Sequence, residues 1–460
     1  MTGPLTLITP NRLDVIIKYE YAWARTNKIA PDGSWFQEFY KEHIRSVNDF
    51  QESNNGKNNA TDFLNTFDFL IFAFQHNLWD NSNDLIECSS DGSIRNGAHR
   101  LALCMLFDNE FCNLVNTNKK PFNFSAAFFE KRYFPKNFLL YAVEKYVVAS
   151  PKSHLAVLFP SKHYDLNLLI NRVASEFEVI YVRDLSLNPN GVHNLVLHMY
   201  RDQDWLSLQQ NQGFSKTLRH AQQRFVRGHN VKIVLLNDPE LSALHRFKRK
   251  LREELGQGNF PIHVPDSKQE VDELVGLSLR DCGIDFLNRA KPKNNERVHE
   301  LMKRFLEWIR SEGYDEREFC IVGSAYISLE GHREVNDLDV VDFRFRHCPV
   351  EGVNIVPRDS TFFEFIDLSE VFCPLNTFGY NGLLVLSRCK IIEFKTKRHS
   401  IKDIYDLELL KSADEKRRIS GTVHKIQGRI LEFSFRFLTR LRSVIPKRVK
   451  RAVRQILGKI

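Results

Sequence analysis

The residues best placed for chemistry lie between 319 and 343. The apolar run Phe319-Cys-Ile-Val322 ends in Gly323-Ser324, twelve residues intervene, and Asp337-Leu-Asp339-Val-Val follows. Alternate residues of a strand share a face, so Asp337 and Asp339 stand together while Leu338 and Val340 turn to the core. Two carboxylates held that close repel unless a cation sits between them, and carboxylates beside phosphates suit Mg²⁺. Gly323 lacks a Cβ and takes positive φ readily, so its turn lets backbone N–H groups and the Ser324 hydroxyl approach a phosphate. The chemistry of such a set is in-line phosphoryl or nucleotidyl transfer from a nucleoside triphosphate or nucleotide-activated donor.

A second constellation is Asp91-Gly-Ser-Ile-Arg-Asn-Gly97-Ala-His99-Arg100. A strand, a tight turn and a helix opening near Gly97 place Gly97, His99 and Arg100 at a positive helix terminus, where a phosphate can dock. The competing reading is an N-capped helix with a half-buried His99.

The Gly-Ser…Asp-Leu-Asp pattern resembles the nucleotidyltransferase superfamily, the polymerase-β-like fold, over about residues 295–410. The resemblance implies phosphate binding by Gly323 and Ser324, and metal binding and catalysis by Asp337 and Asp339. It also implies a third carboxylate on a later strand. Phe362–Asp367 offers Glu364 and Asp367, between which the spacing does not choose, and Asp342 is a lesser candidate. By the same resemblance Lys395 or Arg398 neutralises a triphosphate, against the alternative of a solvated helix face.

The Gly97-x-His99-Arg100 box resembles the nucleotide-phosphate box of the ParB/sulfiredoxin-like fold, weakly over residues 60–110. Together the two motifs resemble proteins of surface-polysaccharide (lipopolysaccharide or capsule) assembly. That implies a glycan or lipid-linked acceptor and, where the N-terminal domain is kinase-like, a bifunctional enzyme. The rival readings are a glycosyltransferase with its nucleotide sugar on the middle region, a regulatory nucleotide- or nucleic-acid-binding protein, and a protein-modifying nucleotidyltransferase of the toxin type.

The elements that must position these residues read as α/β and α+β in several domains: 1–130 ParB/sulfiredoxin-like, 131–292 a middle α/β layer turning helical, 293–415 nucleotidyltransferase-like, and 416–460 a basic amphipathic tail. Helices are expected at Asp62–Gln75, from Gly97 through Leu106, near 209–228 and 239–256, and at Glu296–Ser311. Strands are expected at Asn83–Cys88, Leu155–Phe159, Val179–Val182, His193–Met199 and 319–322. Asp266 or Ser267 caps a helix. His263 reads first as structural, and Arg246–Arg252 as a solvated face.

With 460 residues, 65 Lys+Arg against 57 Asp+Glu and 43% hydrophobic residues, the chain is an ordinary globular one. Nine of its basic residues and none of its acidic ones fall in 433–460, so the body is neutral. A neutral body argues against nucleic acid as partner. In the tail, Ile426, Ile430, Phe433, Phe437, Leu441 and Val444 recur at helical spacing among arginines, and Val449, Val453 and Ile456 repeat the pattern after Pro446. Residues 423–460 are therefore expected to hold an anionic membrane surface. Eight scattered cysteines read as reduced thiols, no segment is long enough to span a bilayer, and nothing marks the start for secretion. The expected location is cytoplasmic, peripheral at the inner membrane face.

Overall fold

The computed structural model describes residues 7–52, 56–79, 85–107, 113–201, 215–226, 228–256, 258, 260–291 and 296–414. The amphipathic tail expected at 423–460 lies outside them, as does the first part of the helix expected near 209–228. Among the described residues the protein is mixed α/β with three sheets, one antiparallel and two mixed. No helix of the described residues is long and apolar enough to cross a membrane.

In the N-terminal part, helices α1 (Leu13–Thr26), α2 (Trp35–Asn48) and α3 (Ala60–Gln75) precede strands β1 (Leu85–Cys88) and β2 (Ile94–Asn96). Helix α4 (Ala98–Leu106), strand β3 (Asn113–Asn116) and helix α5 (Ala126–Lys131) follow. Ser34 and Asn59 start α2 and α3 by accepting from Gln37 N and Asp62 N, the usual work of short polar N-caps. The small sheet runs β2-β1-β3, and Ile86, Ile94 and Leu101 pack with Val15 beneath it.

The middle part contains α6 (Lys136–Ala149), β4 (His154–Leu158), α7 (Leu166–Glu176), β5 (Val179–Leu185), α8 (Pro189–Met199), α9 (Ser215–Arg224), β6 (Val231–Leu236), α10 (Leu241–Leu255), β7 (Ile262–His263), α11 (Lys268–Ser278) and α12 (Asp281–Arg289). Its sheet, β5-β6-β4-β7, is antiparallel throughout. The strand expected at His193–Met199 is instead the end of α8. Asn188 accepts from Gly191 N and Pro189 occupies the first turn, so a capped helix start overrides the apolar run that follows. Ser267 is the residue that caps α11, accepting from Glu270 N.

The C-terminal part begins with α13 (Glu296–Ser311), β8 (Phe319–Ile321), α14 (Ala325–Leu329), β9 (Leu338–Asp342) and β10 (Val353–Ile355). It continues through α15 (Leu368–Val371), β11 (Thr377–Tyr380), β12 (Leu383–Leu386) and α16 (Arg388–Arg398). Its five-stranded mixed sheet runs β10-β9-β8-β12-β11.

Among the described residues, those up to 397 gather into one compact unit, and those from 398 belong to a second, within which residues 401–414 are helical (α17). One apolar core runs through the first unit from Leu13 to Phe394. Buried ion pairs join its parts as well. Arg280 holds Glu144 with two bonds of 2.7 and 2.8 Å and reaches the Thr377 hydroxyl at 2.8 Å, while Arg317 holds Glu20 at 3.0 Å. The C-terminal sheet is thus tied to α1 and α6.

Candidate active site

Strand β8 is buried at all three residues, and the chain turns sharply after Val322. Gly323 sits at φ +69°, and a Cβ built there would lie 2.9 Å from Oδ2 of Asp339. The turn and the carboxylate are pressed together at a distance that only glycine permits. Val322 N donates to Asp339 O at 2.9 Å, which locks the end of β8 to β9. Ser324 then opens α14 and is buried at 4% exposure.

Asp337 immediately precedes β9 and Asp339 lies within it; both are half-buried, while Leu338 and Val340 are fully covered. The expected alternation is therefore realised. Strand β10 runs parallel to β9 with Asn354 opposite Asp339, and the Asn354 amide donates to Asp337 Oδ2 at 2.9 Å. One bond from the neighbouring strand thus orients one carboxylate of the pair.

A buried polar knot holds α14 from below. Glu330, fully enclosed, accepts from the Tyr326 hydroxyl at 3.0 Å, lies 2.8 Å from His332 Nε2 and pairs with Arg388 at 3.3 Å. Burial, and then the Glu330 charge, raise the Tyr326 phenol well above its usual pKa, so it stays a donor. Arg388 opens α16 directly after β12, which pairs in parallel with β8, so the knot ties the ends of both strands to the Gly323 turn.

The other expected site residues fall elsewhere. The strand expected over 362–367 is a single 3₁₀ turn at Thr361–Glu364 followed by a helix cap. Ser360 caps that turn by accepting from Phe362 N, and Asp367 forms a capping box with Glu370, so local capping displaces strand pairing. Glu364 is exposed on the turn, and Asp367 is spent on starting α15. Asp342 is fully buried and accepts from the Arg344 and Arg346 amides and the Arg346 guanidinium, a structural role. Lys395 is buried at 1% exposure. Arg398 makes a bidentate pair with Asp403 at 2.7 Å through both nitrogens.

The residue missed from sequence is Asn354. A search for a third carboxylate passes over an amide. The signal was the short alternating run Val353-Asn-Ile355 just after Gly352, which reads as a strand when register with β9 is considered.

In the N-terminal box, Gly97 caps α4 at φ +90°, and the Arg100 guanidinium folds back so closely that a Cβ at 97 would sit 3.2 Å from it. His99 Nε2 lies 2.8 Å from the Tyr40 hydroxyl, and its ring packs edge-on to Phe67 at 4.5 Å. Burial pushes its pKa well below the ordinary value, leaving a neutral imidazole. Helix α1 packs beside it, and there Asp14 takes Arg12 and Lys18 at 2.8 and 2.9 Å. The box thus has a glycine-capped helix start with its arginine at hand, and a histidine engaged in packing.

Asp337 and Asp339, with the Asn354 amide beside them, form an oxygen donor pair that would suit Mg²⁺. Among the described residues no group of three or more His, Cys, Asp or Glu is gathered for a metal ion. No protein-family model, curated protein or solved structure matches this chain.

Proposed function

We propose that the chain is a Mg²⁺-dependent nucleotidyl- or phosphotransferase with its centre at Gly323, Ser324, Asp337 and Asp339. The observation that carries this reading is the close packing of the Gly323 turn against the Asp339 carboxylate, where a Cβ at 323 would lie 2.9 Å from Oδ2. It sets a glycine turn, of the kind whose backbone N–H groups can serve a phosphate, against an acidic pair, and polyphosphate transfer requires both.

Bound between Asp337 and Asp339, the ion would neutralise charge gathering on the leaving phosphates. The protein groups do the remainder. The Gly323 turn and the Ser324 hydroxyl hold phosphate oxygens, and Asn354 fixes the Asp337 carboxylate. An amide at 354 takes no proton, so removal of the acceptor's hydroxyl proton falls to Asp339 or to solvent.

A glycan or lipid-linked acceptor in surface-polysaccharide assembly is the part of the reading supported by the two motifs occurring together. The Gly97 box would add a second nucleotide site, and residues 423–460 a hold on anionic membrane. The glycosyltransferase alternative is less well supported. The middle sheet is antiparallel and lacks the crevice at parallel strand ends where doubly wound folds hold nucleotides.

The test is transfer of α- or γ-labelled nucleoside triphosphate to glycan and lipid-linked acceptors with Mg²⁺, read by product mass. The double variant Asp337→Asn/Asp339→Asn should lose at least about 10³-fold in rate, as expected when transition-state charge stabilisation is removed. Full activity in that variant refutes the assignment.

A further inference from the structure

Helices α6 and α11, the end of α13, the turn before β8 and the β11–β12 hairpin meet around a cavity of about 400 Å³ whose lining shares no residue with the β8–β9 centre. One side of it is apolar. Val148 of α6 and Leu383 and Leu384 of β12 line it, together with Gly276 of α11 and Gly379 of β11. A Cβ built at Gly379 would lie 3.2 Å from the Cα of Gly276, so helix and strand meet backbone to backbone there.

The other side is lined with charge, and each charge has a partner of opposite sign. Glu144 is held by Arg280 at 2.7 and 2.8 Å, Asp272 by Lys268 and Glu273 by Arg201. Arg310 pairs with Glu316 at 3.2 Å, and Arg317 with Glu20 at 3.0 Å. Lys145, 9% exposed, stands 3.5 Å from Glu144 and over the Tyr141 ring. Gln269 donates to Glu273 at 3.1 Å. Pairing of this kind fixes the side chains before a ligand arrives, so binding them costs little further rotamer freedom. It also leaves hydrogen-bonding capacity of both kinds, since a carboxylate accepts up to about four hydrogen bonds and a guanidinium donates up to about five. An ion of either sign entering the cavity would meet like charge, whereas a hydroxyl accepts from one neighbour and donates to the next. Burial moves the pKa of Asp272 up and that of Lys145 down, each toward its neutral form, so both gain from a hydrogen bond that replaces lost water.

We infer that this cavity binds a neutral, unphosphorylated sugar, its ring lying against Val148, Leu383 and Leu384 and its hydroxyls reaching Lys145, Gln269 and Asp272. A sugar ring has apolar C–H faces and a rim of hydroxyls, which matches a cavity apolar on one side and densely hydrogen-bonding on the other. The volume suits a ligand of one or two rings. This inference goes beyond the transfer reading and does not rest on it, because none of these residues belongs to the Gly323–Asp339 centre.

The test is saturation-transfer NMR on the full chain in EDTA, with glucose, galactose, mannose and N-acetylglucosamine each in turn. At least one should receive saturation from the protein. Glucuronic acid and glucosamine, which add a negative or a positive charge to the same kind of ring, should bind about 10-fold or more weakly than that sugar. Val148→Trp fills the cavity and should abolish the signal, and Gln269→Ala should weaken binding about 3- to 10-fold, in keeping with one lost hydrogen bond. Both positions are exposed, so neither substitution disturbs the core. Saturation of none of the four sugars overturns the inference. So does a charged analogue that binds as tightly as the neutral sugar, or a signal unchanged by either substitution, which would place the sugar elsewhere on the protein. Because EDTA removes the metal, the outcome is independent of whether Asp337 and Asp339 support transfer.

Discussion

Replacing Gly323 with alanine puts a single methyl group where the candidate site is tightest. Two costs can be worked out. At φ +69° an L-residue sits in the left-handed region at roughly 1–2 kcal/mol, offset by about 0.4–1 kcal/mol because alanine restricts the unfolded chain. The new Cβ also meets Asp339 Oδ2 at 2.9 Å, so the carboxylate must rotate off its rotamer at about 0.5–1.5 kcal/mol. The expected loss is about 1–2 kcal/mol, of which about 1 kcal/mol belongs to the pair. A double-mutant cycle with Asp339→Ala isolates that coupling, because truncating Asp339 removes the clash but leaves the φ strain. Urea unfolding followed by tryptophan fluorescence reports on this sheet, since Trp308 of α13 packs 6.0 Å from Phe319 of β8. Under the proposed transfer reading, displacing the Asp339 carboxylate by a fraction of an ångström should also slow transfer by about 10- to 100-fold. A coupling of zero in the cycle, with activity unchanged, would show that the turn and the carboxylate do not form one site.

Two further outcomes concern the frame. Arg280→Ala strands the buried Glu144 carboxylate, whose pKa burial raises but Arg280 and Lys145 hold below its ordinary value; unfolding free energy should fall by about 3–5 kcal/mol, and Glu144→Leu with Arg280→Met should recover most of it. His198, buried and ring-stacked on Tyr380 at 5.8 Å, has its pKa pushed down from 6.5 to about 3 by burial and then by Arg201. The unfolded chain therefore binds a proton below pH 6.5 that the folded chain refuses, so this group's stability is complete above pH 6.5 and declines as pH falls toward 3. By pH 5 the loss is about 2 kcal/mol, and urea midpoints for His198→Phe should fall less steeply between pH 7 and 5 than those of wild type.

Much of the carboxylate site was legible because it is local. A buried strand, a glycine turn and an alternating Asp-Leu-Asp need only strand periodicity to place Asp337 and Asp339 on one face, and β8 and β9 form where the apolar runs predict. Helix α13 likewise follows from its own amphipathic spacing. Where a strong cap lies inside an apolar run, capping prevails. That turns His193–Met199 into helix behind Asn188 and Pro189, and breaks 362–367 into a 3₁₀ turn and a helix start.

What depends on partners distant in sequence was decided only in three dimensions. Asn354 acquires its role from register, since lying opposite Asp339 is a property of two strands and neither one carries it alone. Lys248 and Arg252 read as part of a solvated helix face; bonds to the carbonyls of Val264 and Ile262, set by the packing of β7, hold them against the sheet instead. The ties Glu144–Arg280 and Glu20–Arg317 span more than a hundred residues each, and no periodicity announces them. Periodicity and turn chemistry act over a few residues, so the sequence alone determined which side chains share a face. Register and burial depend on the whole chain, and through them the tertiary structure decided which of those faces meet.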